Sequence, residues 1–126
     1  FIKIVFIQPA FYRGVGRKNI KSIENLLHPD VTLISPLSSV NGKTPVLESI
    51  KAFSDNLKSL AIRSKFESGD QAVIVYDTEL PAPIGVNRAA SLLTINNGLI
   101  TKIELFHDSA PFAGQKDKIF GKTPKK

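Results

Sequence analysis

Apolar residues along the chain change their spacing once, from a helical repeat to strict alternation. In the first half, residues 20–27 repeat apolar side chains at helical spacing; Asn19 can cap this helix and His28-Pro29 ends it. Thr44-Pro45 is typical of a helix start, with an N-cap followed by proline, and predicts a second helix over residues 45–58. Its apolar stripe comprises Val46, Leu47, Ile50, Phe53, Leu57 and Leu60.

From Ala61 onward the alternation predicts a run of β-strands. Two turns between them are short, Ser68-Gly69-Asp70 and Asn97-Gly98, and the second offers two residues able to take the positive φ angles of a type I′ turn. Pro81 to Gly85 predicts a longer loop. The predicted strands cover residues 31–35, about 62–67, 71–80, 87–96 and 99–108. Helices first and an antiparallel meander afterwards predict an α+β domain whose helices cover one face of the sheet.

The length of 126 residues and the hydrophobic content of 42% fit one soluble domain and leave no room for a second. We expect this domain to span residues 1–112 and a basic tail to span residues 113–126. Near the start, Pro9 could open a short helix that carries Phe11 and Tyr12, or the β-branched residues before it could form an extended arm. The sequence leaves both alternatives open.

The formal charge of +6 is concentrated in the tail, where five lysines and one aspartate give +4 and leave +2 for the rest. A lysine tail without arginine or interleaved aromatic residues is more typical of a solvated terminus than of a nucleic-acid-binding surface, so nucleic acid is not an expected partner. No apolar run approaches the ~20 residues that span a bilayer. Since the chain has no cysteine and only two histidines, we expect no bound metal. We also expect no cofactor and a cytoplasmic location; the lack of cysteine itself says little about the compartment.

The Asn97-Gly98 turn decides which residues of the last two strands lie opposite each other. If residue pairs are counted outward from this turn without interruption, Arg88 pairs with His107, and Arg88 and Asp108 point to opposite faces. A one-residue bulge near Lys102-Ile103 would instead align the apolar residues of the last strand, Phe106 included, on the buried face. Arg88 would then lie opposite Asp108. The plainer alternative is an exposed arginine or a cross-strand ion pair.

Short motifs follow one another along most of the chain. They are Phe11-Tyr12, Asn19-Ile20, His28-Pro29-Asp30-Val31, Ser35-Pro36, Asn41-Gly42-Lys43, Asn97-Gly98-Leu99-Ile100 and Phe106-His107-Asp108. In this order they resemble the nuclear-transport-factor-2-like (NTF2-like) superfamily, and within it the SnoaL-like, or polyketide-cyclase-like, domains, over about residues 9–112. The resemblance implies a cone-shaped half-barrel of cystatin-like type, in which a bent antiparallel sheet packs on N-terminal helices and leaves a pocket at its wide end. Isomerases, cyclases, epoxide hydrolases, dehydratases and inert adaptors share this fold, so the fold alone does not define a reaction.

Two departures from the ketosteroid isomerases of this superfamily disfavour steroid-type isomerisation. Ser35 stands where those enzymes place a carboxylate base, and a serine without a neighbouring base cannot take that role. Phe11 stands where they place an oxyanion-holding tyrosine, with Tyr12 one residue further along. Phe106-His107-Asp108, by contrast, fits the SnoaL-like pattern in which the last strand ends in a carboxylate that faces the pocket.

Asp108 is therefore the predicted catalytic acid/base, buried at the pocket mouth where its protonated form is favoured. The alternative is an exposed strand-end aspartate that caps the following turn. His107 should point away from Asp108, to the surface or a dimer interface. The expected ligand-binding residues are Tyr12, Tyr76, Arg88 and Phe106. Asp77 competes with Tyr76 for the interior and would need Arg88 as a partner if buried, while Glu104 joins Asp108 only if no bulge separates them.

The function expected from these residues is that of a small-molecule pocket protein. It would be a cofactor-free isomerase, cyclase or hydrolase acting on an apolar, oxygen-bearing ligand; the alternative is a non-catalytic ligand-binding or protein-interaction module. We also expect a homodimer formed through the convex sheet face, because that face has more apolar residues than one pocket can use. The residues expected there are Val73, Val75, Leu93 and Leu105.

Overall fold

One curved sheet and two helices enclose a shared apolar core. The computed structural model describes residues 20–36, 39–108 and 110–112. The elements are α1 (Ile20–Glu24), β1 (Leu27–Ile34), β2 (Ser39–Asn41), α2 (Lys43–Asn56), β3 (Ser59–Ser68), β4 (Gln71–Leu80), β5 (Gly85–Asn96), β6 (Leu99–His107) and a 3₁₀ turn (Ala110–Phe112). Helices followed by strands confirm the predicted α+β class.

The six strands form a single bent, unclosed sheet in the order β2-β1-β6-β5-β4-β3. Every neighbouring pair is antiparallel except β1 and β6, which run parallel. After β2 the chain crosses to the opposite edge of the sheet at β3, and the meander then returns strand by strand until β6 lies beside β1. The β3–β4–β5–β6 meander was predicted in order, and β2 was not predicted. Its three residues, Ser39–Asn41, pair with β1.

Both helices differ from their predicted bounds, and each difference has a local cause. α1 ends at Glu24, short of His28, because the chain already enters the sheet at Leu27. There the N–H of Ile100 donates to the carbonyl of Leu26 at 2.8 Å. α2 begins at Lys43, before the predicted Thr44-Pro45, because Gly42 adopts a φ of 96° and serves as the N-cap.

The core lies between the helices and the inner face of the sheet, defined here as the face that the helices cover. Alternation along β4 and β5 sends every second side chain inward, as the period of two predicts. α2 buries Val46, Ile50 and Ser54, which lie one helical turn apart. Side chains exposed by at most 1% are Ile23, Leu27, Val31, Val46, Ala72, Ile74, Leu80, Leu93, Ile100 and Ile103, with Ser54 and Ser91.

A β-bulge in β6 interrupts the pairing with β5. Ile95 lies opposite Ile100 and Thr94 lies opposite Lys102, so Thr101 is the extra residue. Its hydroxyl donates to the carbonyl of Thr94 at 3.2 Å. The bulge predicted near Lys102-Ile103 is confirmed, one residue earlier than expected. It brings Ile100 and Ile103 to the same inner face.

Residues 1–19, which include Tyr12, and residues 113–126 lie outside the described residues. The predicted role of Tyr12 and the predicted tail boundary therefore stay predictions. Within the described part of the chain, no helix combines the length and apolar character needed to cross a membrane.

The bulge predicts opposite energetic roles for two consecutive residues of β6. Replacing Ile103, which is 1% exposed, by alanine should lower the free energy of unfolding by about 2–5 kcal/mol through lost burial and a cavity. The neighbouring Lys102→Ala change, on the exposed face, should stay within about 0.5 kcal/mol. Urea denaturation of both variants measures the contrast; similar losses would contradict this register.

Candidate active site on the inner face of the sheet

Buried polar side chains on the inner face gather toward one end of the sheet. On β4 they are Tyr76 and Thr78, and on β5 they are Asn87 and Ser91, all at most 8% exposed. Toward the Ser68-Gly69-Asp70 and Asn97-Gly98 turns, the inner faces of β4, β5 and β6 carry apolar side chains: Ala72, Ile74, Leu93, Ile95, Ile100 and Ile103. On the edge strand β3, the exposed Lys65 and Glu67 lie opposite Ile74 and Ala72. On β4, β5 and β6 the inner face is thus apolar at one end and more polar at the other.

Tyr76, Ala89 and His107 lie side by side across the three central strands. Tyr76 pairs with Ala89, and Ala89 pairs with His107. Because directly opposed residues project to the same face and strands are about 4.8 Å apart, the Cα atoms of Tyr76 and His107 are roughly 10 Å apart. Ala89, which separates the tyrosine from the histidine in this row, has a small side chain and is 8% exposed.

Two hydroxyls meet at the centre of this region. Tyr76 Oη and Ser91 Oγ lie 2.9 Å apart, and either can be the donor. Ser91 is 0% exposed and Tyr76 is 5% exposed, so this contact is excluded from bulk water. Next to it, Thr78 donates its hydroxyl to the carbonyl of Asn87 at 3.3 Å. Tyr76, predicted as a ligand-binding residue, therefore does face the interior.

His107 also lies on the inner face, which corrects the expectation that it points to the surface. Its Nδ1 is 3.1 Å from the backbone oxygen of Asp108. Its ring packs edge-to-face on Phe112 of the 3₁₀ turn, with centroids 4.9 Å apart. Its Nε2 is buried and has no hydrogen-bond partner among the described residues. His107 was not predicted as a site residue, because Phe106 was expected to point inward.

Asp108 lies on the other side, and its predicted position in the pocket is wrong. The residue is exposed, and its Oδ1 accepts a hydrogen bond from the N–H of Ala110 at 3.0 Å. This is the turn-capping alternative. The bulge at Thr101 brings Ile103 inward, and with no second bulge after it every second residue beyond, Asp108 included, faces outward. The carboxylate lacks the buried environment on which its assignment as acid/base depended.

The predicted inward positions of Phe106 and Arg88 are also wrong. Phe106 precedes the inward-facing His107 on β6, and Arg88 lies between the inward-facing Asn87 and Ala89 on β5. Phe106 is 55% exposed on the outer face, opposite Ala90. Arg88 is exposed and lies opposite Asp77 on β4. The cross-strand ion pair that the sequence left as the plainer alternative is the arrangement observed.

Asp77 is held by two arginines on the outer face. Arg88 donates through Nε at 2.8 Å and through a terminal nitrogen at 3.3 Å, and Arg63 donates at 3.3 Å. The hydrogen bond from Arg88 is the main cause of a lowered Asp77 pKa, and the charges of both arginines act in the same direction. Asp77 in turn raises the pKa of Arg88. This cluster belongs to the outer surface and does not contact the inner polar residues.

Across the described ranges, no three histidine, aspartate or glutamate side chains are placed together so that they could hold a metal ion. On the inner faces of β4, β5 and β6 in particular, every described side chain is uncharged apart from the titratable ring of His107. The chemistry that this face offers consists of hydroxyls, the Asn87 amide and an imidazole.

Comparisons with known proteins agree with this architecture. The family model of the SnoaL-like domain matches residues 9–103. An NTF2-like protein from Cytophaga hutchinsonii is similar at 17% identity and a TM-score of 0.76, over 85% of this chain and 91% of that one. A steroid delta-isomerase from Pseudomonas aeruginosa is similar at 14% identity and a TM-score of 0.80, over 96% of this chain and 90% of that one. A proposed polyketide cyclase from Sinorhizobium meliloti is similar at 15% identity and a TM-score of 0.73, over 79% of this chain and 93% of that one. No curated protein sequence matches the chain.

The unequal hydrogen bonds of Asp77 predict unequal effects of its two arginines. Because its folded pKa is lowered from 3.8, the pairing stabilises the fold above that pH, and this contribution is lost as the pH falls through the folded pKa. Arg88→Ala should raise the titration midpoint of Asp77 toward 3.8, and Arg63→Ala should raise it less. Carboxyl ¹³C NMR titration measures both midpoints. A larger rise in Arg63→Ala would contradict the observed geometry.

Proposed function

Because this chain belongs to the SnoaL-like domain family, we propose that it binds a small, largely apolar, oxygen-bearing molecule against the inner face of its sheet. The polar contacts are Tyr76, Ser91 and His107, and the apolar part of the ligand packs beside them. The proposal rests mainly on the buried, unpartnered Nε2 of His107 in the same row as the Tyr76–Ser91 hydroxyl pair. Small-molecule sites in proteins commonly combine an apolar lining with a few placed polar groups.

Ala89 offers a direct test, because it separates the two polar side chains and has an outward-facing neighbour. Ala89→Leu would place a large side chain between Tyr76 and His107 and should abolish ligand binding. Ala90→Leu adds the same atoms to the outer face and should leave binding unchanged. NMR chemical-shift changes on addition of small phenols, ketones and lactones measure binding, and thermal melting checks that both variants fold. Shifts confined to outer-face residues would contradict the proposal.

Cofactor-free proton transfer is the second candidate function, and His107 favours it. A neutral imidazole can take a proton from an acidic C–H or O–H of the ligand at Nε2 and return it to another ligand atom, which is the chemistry of an isomerase or a cyclase. The Tyr76 hydroxyl is a donor for the negative charge that develops on the ligand oxygen. The non-catalytic alternative gains support from Ser35, which offers no carboxylate base.

Turnover assays can separate these two candidates. A panel of small ketones, lactones and epoxides is incubated with the wild type, His107→Gln and Asp108→Asn. If the protein is an enzyme, His107→Gln should lose about 100-fold or more of the rate, the usual contribution of a general acid/base, and Asp108→Asn should keep it. Turnover that depends on Asp108 would contradict the role given to His107. Binding without turnover of any compound would favour the non-catalytic module.

We further propose that the outer face of the sheet joins two copies of the chain. Its apolar residues are contiguous: Phe66 pairs with Val73, Val73 pairs with Leu92, and Phe106 lies beside Ala90. Phe66 is 62% and Phe106 is 55% exposed, so this outer apolar patch remains in contact with water on a single copy. Of the residues predicted for this face, Val73 and Val75 lie on it; Leu93 and Leu105 face inward, and Leu93 is fully buried.

The dimer predicts a specific sensitivity to charge within this patch. In sedimentation-equilibrium runs at tens of micromolar, a concentration suited to moderate affinities, the wild type should be a dimer. Phe106→Glu should give a monomer, because a carboxylate would be buried in an apolar interface. Val86→Glu, on the same face but near the strand end, should remain dimeric. A monomeric wild type would contradict the proposal.

A further inference from the structure

His107 offers a buried nitrogen whose hydrogen-bonding capacity is unused. Among the described residues it has the only buried side-chain nitrogen or oxygen without a hydrogen-bond partner. Buried polar atoms in folded proteins are nearly always paired, and the exceptions often mark sites that act on a ligand. The question is therefore which kind of group Nε2 can receive.

The hydrogen-bond partner of Nδ1, the other ring nitrogen, fixes the position of the proton in the neutral ring. Nδ1 lies 3.1 Å from the carbonyl oxygen of Asp108, and a carbonyl oxygen can only accept a hydrogen bond. Nδ1 must therefore carry the hydrogen and donate. In the neutral ring, Nε2 is then left with a lone pair and acts as an acceptor. For the neutral ring, the missing partner of Nε2 is therefore a hydrogen-bond donor.

The surroundings of the ring restrict the charge of that donor. On the inner faces of β4, β5 and β6, the described neighbours of His107 are apolar side chains, hydroxyls and an amide, without a carboxylate or an ammonium group. Phe112 packs on the ring from the 3₁₀ turn. A charged ligand placed here would lose its hydration without a compensating ion pair. The environment favours a neutral ligand.

We infer that Nε2 of His107 accepts a hydrogen bond from the hydroxyl group of a neutral, apolar ligand such as a phenol or an enol. This inference rests on the proposed function, and it narrows the ligand class from oxygen-bearing molecules in general to those that carry a hydroxyl donor. Ketones, esters and ethers without a hydroxyl lack the donor that Nε2 needs.

The proton position can be measured without any ligand, and His28 provides an internal control. In His28 the relation is reversed: Nδ1 accepts a hydrogen bond from the N–H of Asp30 at 3.0 Å, so its neutral ring must carry the proton on Nε2. Long-range ¹H–¹⁵N correlation spectra, recorded at a pH high enough for both rings to be neutral, distinguish the two forms. The two histidines of the chain should give opposite patterns. A proton on Nε2 of His107 would overturn the inference.

A pair of probes, one with a methyl group in place of the other's hydroxyl hydrogen, tests the ligand class. 2-Naphthol can donate, and 2-methoxynaphthalene cannot. By calorimetric titration the wild type should bind 2-naphthol about twofold to tenfold more tightly, the range expected for one hydrogen bond. His107→Phe, which keeps a ring against Phe112, should lose this preference. His28→Gln, a change of the other histidine, should keep it.

The outcomes separate the inference from the proposed function. If both probes bind the wild type equally, or if the preference survives in His107→Phe, the inference is wrong and the proposed binding site stands. If neither probe binds the wild type, the proposed function fails for an apolar ligand of this size and the inference fails with it. The proton measurement uses the wild type and therefore decides the acceptor role even where His107→Phe does not fold.

Discussion

The extra residue at Thr101 decides what each face of β6 presents. Side chains alternate along a strand, so one inserted residue exchanges the two faces for everything that follows it. Here the insertion aligns Ile100 with Ile103 against the core, and the buried area of these two isoleucines is what stabilises this register. The Thr101 hydroxyl, bonded to the carbonyl of Thr94, satisfies one backbone acceptor beside the interruption. The positions of His107 and Asp108 follow from the packing of Ile100 and Ile103, four to eight residues earlier in the chain.

The two sheet faces carry different chemistry, which the bulge sets on β6 and plain alternation sets on β4 and β5. The inner face receives an imidazole next to buried hydroxyls and holds no fixed charge on its three central strands. The outer face receives the ionised groups, where Asp77 is paired with Arg88 and Arg63 in contact with water. Charged side chains are costly to bury, whereas hydroxyls and a neutral ring can be buried once hydrogen-bonded. The β-bulge that turns the Asp108 carboxylate away from the interior therefore leaves a site suited to uncharged ligands.

Much of this fold could be predicted from the sequence. The alternation from Ala61, the Asn97-Gly98 turn with φ angles of 53° and 79°, and the bulge itself all follow from local patterns. The site could not be predicted, because Phe106 was expected to be buried, and Asp108, two residues later on the same face of the strand, was therefore expected to be buried too. The charges gave the opposite signal: Lys102, Glu104 and Asp108 share one parity, which favours the exposed face. The β1 pairing was missed because Pro29 suggested a helix end, although the chain accommodates it in an irregular stretch of the β1–β6 pairing. No local pattern records such a long-range contact.

Cysteine labelling at the end of β6 tests this facing most directly. The chain has no native cysteine, so only the introduced thiol can react. Phe106→Cys, His107→Cys and Asp108→Cys are made one at a time, and the reaction of each thiol with a chromogenic disulfide reagent is followed over time. We expect the thiols at positions 106 and 108 to react rapidly and the thiol at position 107 to be protected, because only position 107 faces the interior. Rapid reaction at 107 with protection at 106 and 108 would show that β6 has the opposite facing, and the proposed site would have to be abandoned.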